Sequence, residues 1–206
     1  MNWTPIWFKS IPSTQAYLKA HWQEHPDKTY VVADTQTAGQ GRESRSWDSP
    51  EGGLYFSILL KPQRLLPLLP WRVWWNTLET LESLTQLDLQ PKAPNDILFK
   101  GSKLAGTLID SAIQGEQALY YIIGMGINIT AQPQAVAGSC SLEALVTPYP
   151  SRTEILKTWL QNFDYQYTLT DSMWSQELLD RSGHRTIQQG YDNPQFTPLK
   201  EYWHAH

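Results

Sequence analysis

Two apolar runs rich in strand formers, Tyr30-Val31-Val32-Ala33 and Leu54 to Leu60, bracket a polar loop that begins at Asp34. A chain built this way needs a sheet, and the sheet holds the loop rigidly at both ends. Within the loop, Gly39 and Gly41 free the backbone for close approach to a ligand, while Arg42 and Arg45 add permanently charged, forked donors. That pairing suits a phosphate or a carboxylate. Taken alone, the stretch reads equally as a solvated surface loop, since one glycine-containing loop is a weak signal.

Around it the chain alternates further strands and helices. Ile6-Trp7-Phe8 reads as a short strand, and Pro12-Ser13 turns into a helix capped by Ser13 and running to about His25, where Ser13 and Thr14 need be no more than caps. After a proline-punctuated stretch, Trp71, Trp74, Trp75, Leu78, Leu81 and Thr85 recur at helical spacing, the apolar face with which a helix covers a sheet. Ile97-Leu98-Phe99 and Leu104 to Ile109 form a hairpin through Lys100-Gly101. Lys103 opens the returning strand, so the sheet positions its amine, and Gly106 leaves room for a ligand or another backbone. In isolation Lys103 is also an ordinary strand-end lysine, and Asn95 and Asp96 are ordinary turn residues. Tyr120 to Ile129 is a long apolar strand in which Gly124 and Gly126 alternate, which signals close packing on that face. Asn128 ends it with an amide able to donate and accept, either to the backbone or to an adenine edge. Ser151-Arg152-Thr153-Glu154 is a capping box ahead of a helix whose apolar face is Ile155, Leu156, Trp159, Leu160 and Phe163.

Composition narrows the function. The 206 residues suffice for one large domain, or a domain with a small appendage, around a real core. A net charge of -4 argues against a general nucleic-acid binder, because phosphate neutralisation requires a basic surface. No apolar run approaches the ~20 residues of a membrane span. Cys140 is the only cysteine, which excludes an intrachain disulfide and fits a reducing, cytoplasmic setting.

Several separate motifs now line up. Gln36-Thr37-Ala38-Gly39-Gln40-Gly41-Arg42 with Trp47 and Ser49-Pro50, then Lys92-x-Pro-Asn95-Asp96, Lys103-Leu-Ala-Gly106 and Gly-Met-Gly-Ile-Asn128 follow in order. A Ser13-Thr14 pair precedes them and Ser141-Leu142 follows. This pattern, from about Ser13 to Phe163, resembles the biotin protein ligases. The resemblance implies an α+β fold, a mixed sheet flanked by helices and related to class II aminoacyl-tRNA synthetases. It also implies activation of biotin by ATP and Mg²⁺ to biotinyl-5'-adenylate, then transfer to a lysine of the biotin carboxyl carrier protein of acetyl-CoA carboxylase. Carried over, Ser13, Thr14 and Gln36 would surround the biotin head, with Gly39 and Gly106 beside it. Arg42 and Arg45 would close over the adenylate, Trp47 would support the loop or the adenosine, and Lys92 and Lys103 would face phosphate and carboxylate oxygens. Asn128 would read adenine, and Asn95 and Asp96 would shape the nucleotide and metal side, with the metal ligands themselves unassigned.

Departures accompany the resemblance. Ser44 stands where the family usually has glycine, Ala93 where it has an aromatic, and Gln40 where it often has arginine. Residues 1–170 are expected to form the catalytic domain. Residues 171–206 read as a short helix and an irregular tail, without the small β domain that family members usually add. A lipoate or octanoyl transferase on the same scaffold and a non-catalytic biotin- or carrier-binding module are the competing readings. A DNA-binding role is disfavoured because the motifs begin near the amino terminus, and homodimerisation is left open.

Overall fold

The computed structural model describes residues 3–92, 95–130 and 138–169. In chain order these build β1 (Thr4–Ile11), α1 (Thr14–His21), β2 (Thr29–Gln36), β3 (Gly53–Leu60), α2 (Leu69–Thr85), β4 (Gln90–Lys92), β5 (Asp96–Phe99), β6 (Ser102–Gln114), β7 (Gln117–Asn128), α3 (Leu142–Leu145) and α4 (Arg152–Thr168). The strands join in one sheet of order β1-β2-β3-β7-β6-β5-β4. Only β1 and β2 run parallel, with the helix α1 as their crossover; every other neighbour is antiparallel. The architecture is the expected α+β class. Residues 171–206, for which a short helix and tail were expected, lie outside the described residues.

Strand periodicity sorts the sheet into two unlike faces. From β3, Leu54, Phe56, Ile58 and Leu60 point to the main core, as do Tyr121, Ile123, Met125 and Ile127 from β7. There α2 and α4 cover them with Val73, Trp74, Leu78, Leu81, Ile155, Trp159 and Phe163. The tryptophan stripe of α2 is therefore core. On the opposite face the smaller α1 packs Leu18 against Val31, Leu59, Tyr120 and Ile122, and the remainder of that face stays open.

Buried polar contacts lock α2 to α4. Ser151 and Glu154 form the anticipated capping box, and Arg152 beside it donates to Asp34 Oδ1 at 2.8 Å and to the Ala33 carbonyl at 3.1 Å, pinning the helix start to the end of β2. At the far end, Arg72 of α2 donates to the Leu169 carbonyl at 3.0 Å, satisfying an otherwise unpartnered helix-end acceptor. Asn76 donates to the Trp159 carbonyl at 3.0 Å, and Trp159 donates from its indole to Thr77 Oγ1 at 3.0 Å.

Boundaries differ from the sequence reading at two places. The helix after Ser13 ends at His21, not near His25, because His25 precedes Pro26 and Trp22 leaves the helix axis to pack against Tyr120 at 5.1 Å. The first strand extends well beyond Ile6-Trp7-Phe8, since its parallel register with β2 runs from Thr4 to Ile11.

Trp159 is fully buried, stacked on Phe163 at 4.9 Å and edge-on to Phe56 at 5.4 Å. Trp159→Ala is expected to cost about 3–5 kcal/mol, more than half of a marginal domain's stability, through the cavity left and the lost indole hydrogen bond to Thr77. Urea titration followed by circular dichroism checks this: a midpoint close to wild type would show that α4 contributes little to the core.

Candidate active site

The open face of the sheet floors a cavity of about 1210 Å³, larger than the roughly 300–1,000 Å³ that suits one drug-sized ligand. Its floor follows from register. Ser57 lies opposite Gly124, Tyr55 opposite Gly126 and Gly53 opposite Asn128 between β3 and β7, while Gly106 lies opposite Gly126 and Leu108 opposite Gly124 between β6 and β7. Glycines at the centre leave a side-chain-free depression. Two large groups fill part of it: Gln15 packs over Gly124, and the Trp47 indole lies across Gly126 and Gly106, 2.8 Å from where a Cβ on Gly106 would stand. The close packing anticipated from the alternating glycines is therefore present, and its partners are named.

One end of the cavity is neutral and hydrogen-bonding. Ser13 caps α1 by accepting from the Ala16 amide at 3.3 Å. Thr14, 3% exposed, donates from its backbone amide to Gln36 Oε1 at 2.9 Å. The other Gln36 amide atom, Nε2, donates to Ser49 Oγ at 2.9 Å, and Ser49 donates onward to the Trp47 carbonyl at 3.1 Å. Gln36, at the end of β2, is thus tied to both the helix start and the loop. Gly39 is buried against the Trp47 carbonyl and the Ser49 hydroxyl, leaving no space for a side chain.

The other end is charged. Lys103 pairs with Asp96 at 2.7 Å, with its side chain only 30% exposed, and its ammonium lies 5.0 Å from the Trp47 ring centroid. Asn95 donates to the same Asp96 oxygen at 2.9 Å and accepts from Arg42 Nη1 at 2.8 Å. Arg42 therefore reaches from the loop across the cavity mouth to the start of β5. Lys92 is exposed at the cavity edge, opposite Asp96 in the β4–β5 register. Arg45 is also on the rim, but it turns outward to Glu43 at 3.2 Å and to the Arg42 carbonyl. The loop closes through a tight turn in which Glu43 and Ser44 both hold left-handed conformations, φ 55° and 59°. Ser44 occupies the conformation that glycine adopts without strain.

Asn128, 1% exposed, donates its amide hydrogens to the carbonyls of Lys103 at 3.3 Å and Cys140 at 3.1 Å. Only its Oδ1 lacks a partner among the described residues, so toward a ligand it is an acceptor and not the donor–acceptor pair considered above. The Lys103 backbone is held further by the Gly138 carbonyl at 2.7 Å and the Cys140 amide at 3.0 Å. Burial raises the Cys140 thiol pKa above its ordinary value.

The sequence-predicted site residues line this one cavity, except Gly39, which is buried against the Trp47 carbonyl and the Ser49 hydroxyl and so shapes the loop without offering its backbone to a ligand. Sequence reasoning missed Gln15, Ser57 and Tyr55, and it quoted Ser49 in the motif without giving it a role. Tyr55 is fully buried and donates to the Pro50 carbonyl at 2.8 Å, bracing the returning end of the loop, and burial with Asp48 nearby raises its pKa strongly. The available signal was the period-2 register, which puts Tyr55 and Ser57 on the face of Gly124 and Gly126.

Comparison with known proteins follows the same line. The model of the "Biotin/lipoate A/B protein ligase family" matches residues 7–128, more than half of the chain. The bifunctional ligase/repressor BirA of Bacillus subtilis is 39% identical over 112 residues, covering 52% of this chain and 34% of that protein. A biotin–[acetyl-CoA-carboxylase] ligase of Mycobacterium tuberculosis is 30% identical over 150 residues, covering 67% of this chain and 53% of that one. The structure of biotin protein ligase from Aquifex aeolicus in complex with biotin and ATP superposes with a TM-score of 0.67 at 34% identity, over 79% of this chain and 69% of its own. The chain spans about a third to a half of the length of these two curated relatives. With the fold, the cavity and the motif order in agreement, the chain belongs to the biotin/lipoate A/B protein ligase family.

Proposed function

We propose that this chain activates biotin with ATP to biotinyl-5'-adenylate and passes the biotinyl group to a lysine of a carrier domain, the biotin carboxyl carrier protein of acetyl-CoA carboxylase. The observation that carries this reading is a single cavity with a neutral, hydrogen-bonding end at Thr14 and Gln36 and a cationic end at Lys103, Arg42 and Lys92. A polar ureido ring with a carboxylate at the end of its chain fits those two ends in that order. Relatives named for this reaction and a solved relative holding biotin and ATP support it.

In the first step a biotin carboxylate oxygen attacks the α-phosphorus of ATP and pyrophosphate leaves. Both reactants are anions, so the step needs fixed positive charge, which Lys103, Arg42 and Lys92 provide. Lys103 is aimed by Asp96 from one side and by its strand backbone from the other. Ser13, Thr14 and Gln36 hold the ureido head, Gly39 lets the loop pack tightly beside Gln36, Gly106 leaves room for the Trp47 indole, and the Oδ1 of Asn128 would accept from the adenine amino group. Trp47 supplies a flat face for the adenosine, and Arg45 adds charge on the rim. In the second step the carrier lysine, deprotonated, attacks the acyl carbon and AMP leaves. Proximity is the main requirement there, since the adenylate is already a good leaving group.

Mg²⁺ fits this site as a partner of the substrate phosphates. No cluster of three or more acidic, histidine or cysteine side chains occurs among the described residues, but Mg²⁺ commonly takes one or two carboxylates plus phosphates. Asp96, with Asn95 beside it, is the group that would hold the ion, which would neutralise phosphate charge. No helix among the described residues is long and apolar enough to cross a membrane, and cytoplasmic action follows from the use of ATP and an intracellular carrier.

Incubation with ATP, Mg²⁺ and either biotin or lipoate, with mass spectrometry of a supplied carrier domain, tests reaction and substrate together. Mass gain from lipoate alone would favour the lipoate-transferring branch of the family, and no pyrophosphate release with either acid would favour a binding module.

Lys103→Ala is expected to reduce adenylate formation ~100- to 1,000-fold while the protein remains folded, because the ammonium faces the cavity and not the core. Near-normal pyrophosphate release by the folded variant would remove Lys103 from the mechanism.

Arg42→Gly is expected to weaken retention of the adenylate more than its synthesis. Synthesis still draws on Lys103 and Lys92, whereas retention depends on the loop reaching Asn95 through Arg42. The dissociation rate of biotinyl-adenylate should rise, and a bystander protein should become labelled on its lysines. A wild-type off-rate with no bystander labelling would show that another residue is the clasp.

A further inference from the structure

Behind Thr14 and Gln36 lies a second layer of buried polar side chains that the proposed reaction does not use. Gln15 is 3% exposed, and its amide nitrogen donates to the Ile122 carbonyl at 3.0 Å and to Asp110 Oδ2 at 3.2 Å. Its Oε1 must therefore face the opposite way. There it accepts from Ser57 at 3.0 Å, in space that exists because Gly124 has no Cβ; one would stand 2.6 Å from that oxygen. Reversing the amide would set oxygen against a carbonyl and a carboxylate, so the orientation is forced. Gln36 is forced as well: its Oε1 accepts the Thr14 amide hydrogen, and its Nε2 meets Ser49, whose own hydrogen goes to the Trp47 carbonyl.

Between these two fixed amide oxygens stand the hydroxyls of Thr14 and Ser57, 2.8 Å apart. Thr14 Oγ1 is also 3.2 Å from Gln36 Oε1. Three oxygen–oxygen contacts thus share two hydroxyl protons. With Ser57 donating to Gln15, Thr14 gives its hydrogen either to Gln36 or to Ser57; the shorter 2.8 Å contact to Ser57, and the backbone N–H that already serves Gln36 Oε1, favour Ser57 and leave the 3.2 Å Thr14–Gln36 contact short of a hydrogen.

We propose that Gln15, acting through Ser57 and Thr14, keeps the head-group end of the cavity one proton short, so that it selects a ligand whose head carries an N–H donor. The inference rests on the biotin-ligase reading and deepens it. A ureido N–H supplies the missing hydrogen between Thr14 Oγ1 and Gln36 Oε1. A dithiolane ring or an alkyl chain supplies none and buries two bare oxygens against each other. Sites built to hydrogen-bond a donor can reject analogues lacking it by about 10⁴- to 10⁵-fold. Gln15 is on this account a positioning residue, one that sets the direction of the hydroxyl chain.

Gln15→Met tests the idea, because it keeps side-chain length and removes the acceptor. Ser57 can then turn its proton to Thr14, and Thr14 its own to Gln36, so the shortage disappears without a ligand. The biotin KM in pyrophosphate release is expected to rise about 10- to 100-fold, with the ATP KM within about 2-fold of wild type. The preference for biotin over lipoate, as a ratio of kcat/KM, should fall correspondingly. Ser57→Ala cuts the same chain from the other side and should give the same loss. The double variant should be no worse than either single one, the signature of one shared chain. Equal losses toward biotin and ATP, additive single effects, or an unchanged biotin-to-lipoate ratio in either variant would overturn the proposal. If Gln15→Met fails to fold, Ser57→Ala alone decides. A wild-type protein that releases no pyrophosphate with biotin would instead sink the underlying biotin-ligase reading.

Discussion

The bare centre of β7 is the constraint on which the site depends. Gly124 and Gly126 project nothing onto the open face of the sheet, and this absence lets Gln15 and Trp47 descend onto the backbone. With any larger residue at either position, the Gln15 amide could not reach Ser57 and the indole could not lie flat across β6 and β7. The same depression brings a helix start, a loop and a hairpin to one place. Thr14 comes from α1, Trp47 from the loop after β2, and Lys103 from β6, yet all line one cavity.

Charge at the cavity is arranged in tension with itself. Lys103 and Arg42 are the cations that the proposed reaction would draw on, and in this structure each is engaged, Lys103 by Asp96 and Arg42 by Asn95. The Arg42 contact lies near solvent, where such contacts are weak, whereas the Lys103–Asp96 pair is half-buried and holds its ammonium more firmly. In the proposed reaction, a phosphate with more charge and more acceptor oxygens would compete for either cation. Prepositioning therefore need not hinder ligand entry.

Much of this was legible in the chain. The apolar runs of β2, β3 and β7, the tryptophan face of α2 and the capping box of α4 show strong local patterns, and each formed where its pattern lies. The hairpin turn at Lys100-Gly101 was equally plain, with both residues at positive φ. What stayed hidden depends on partners distant in sequence. The end of α1 is set partly by Trp22 finding Tyr120, and the length of β1 by its register with β2. Gln15 and Ser57 look unremarkable in sequence, because their roles exist only once β3 and β7 are paired and α1 is laid over them. Asn128 was legible as important. Its commitment to the Lys103 and Cys140 carbonyls was not, because the chain segment that presents Cys140 folds back from beyond the strand.

The division of the sheet into two faces has a further consequence for how such a chain can vary. Along β3 the residues alternate between packing against α2 and α4 and facing the opposite side, Phe56 with Ser57, which lines the cavity, and Ile58 with Leu59, which packs under α1; β7 alternates likewise with Ile123, Gly124, Met125 and Gly126. Each strand thus carries two interleaved messages, one for stability and one for chemistry, written in a common frame. A point change disturbs one message at a time. Insertion or deletion of a single residue shifts the frame and exchanges both, turning glycines into the core and isoleucines into the site. A change of length is accordingly tolerable only in the segments between strands, whereas substitutions on the helix-covered face can retune stability with little effect on the cavity side.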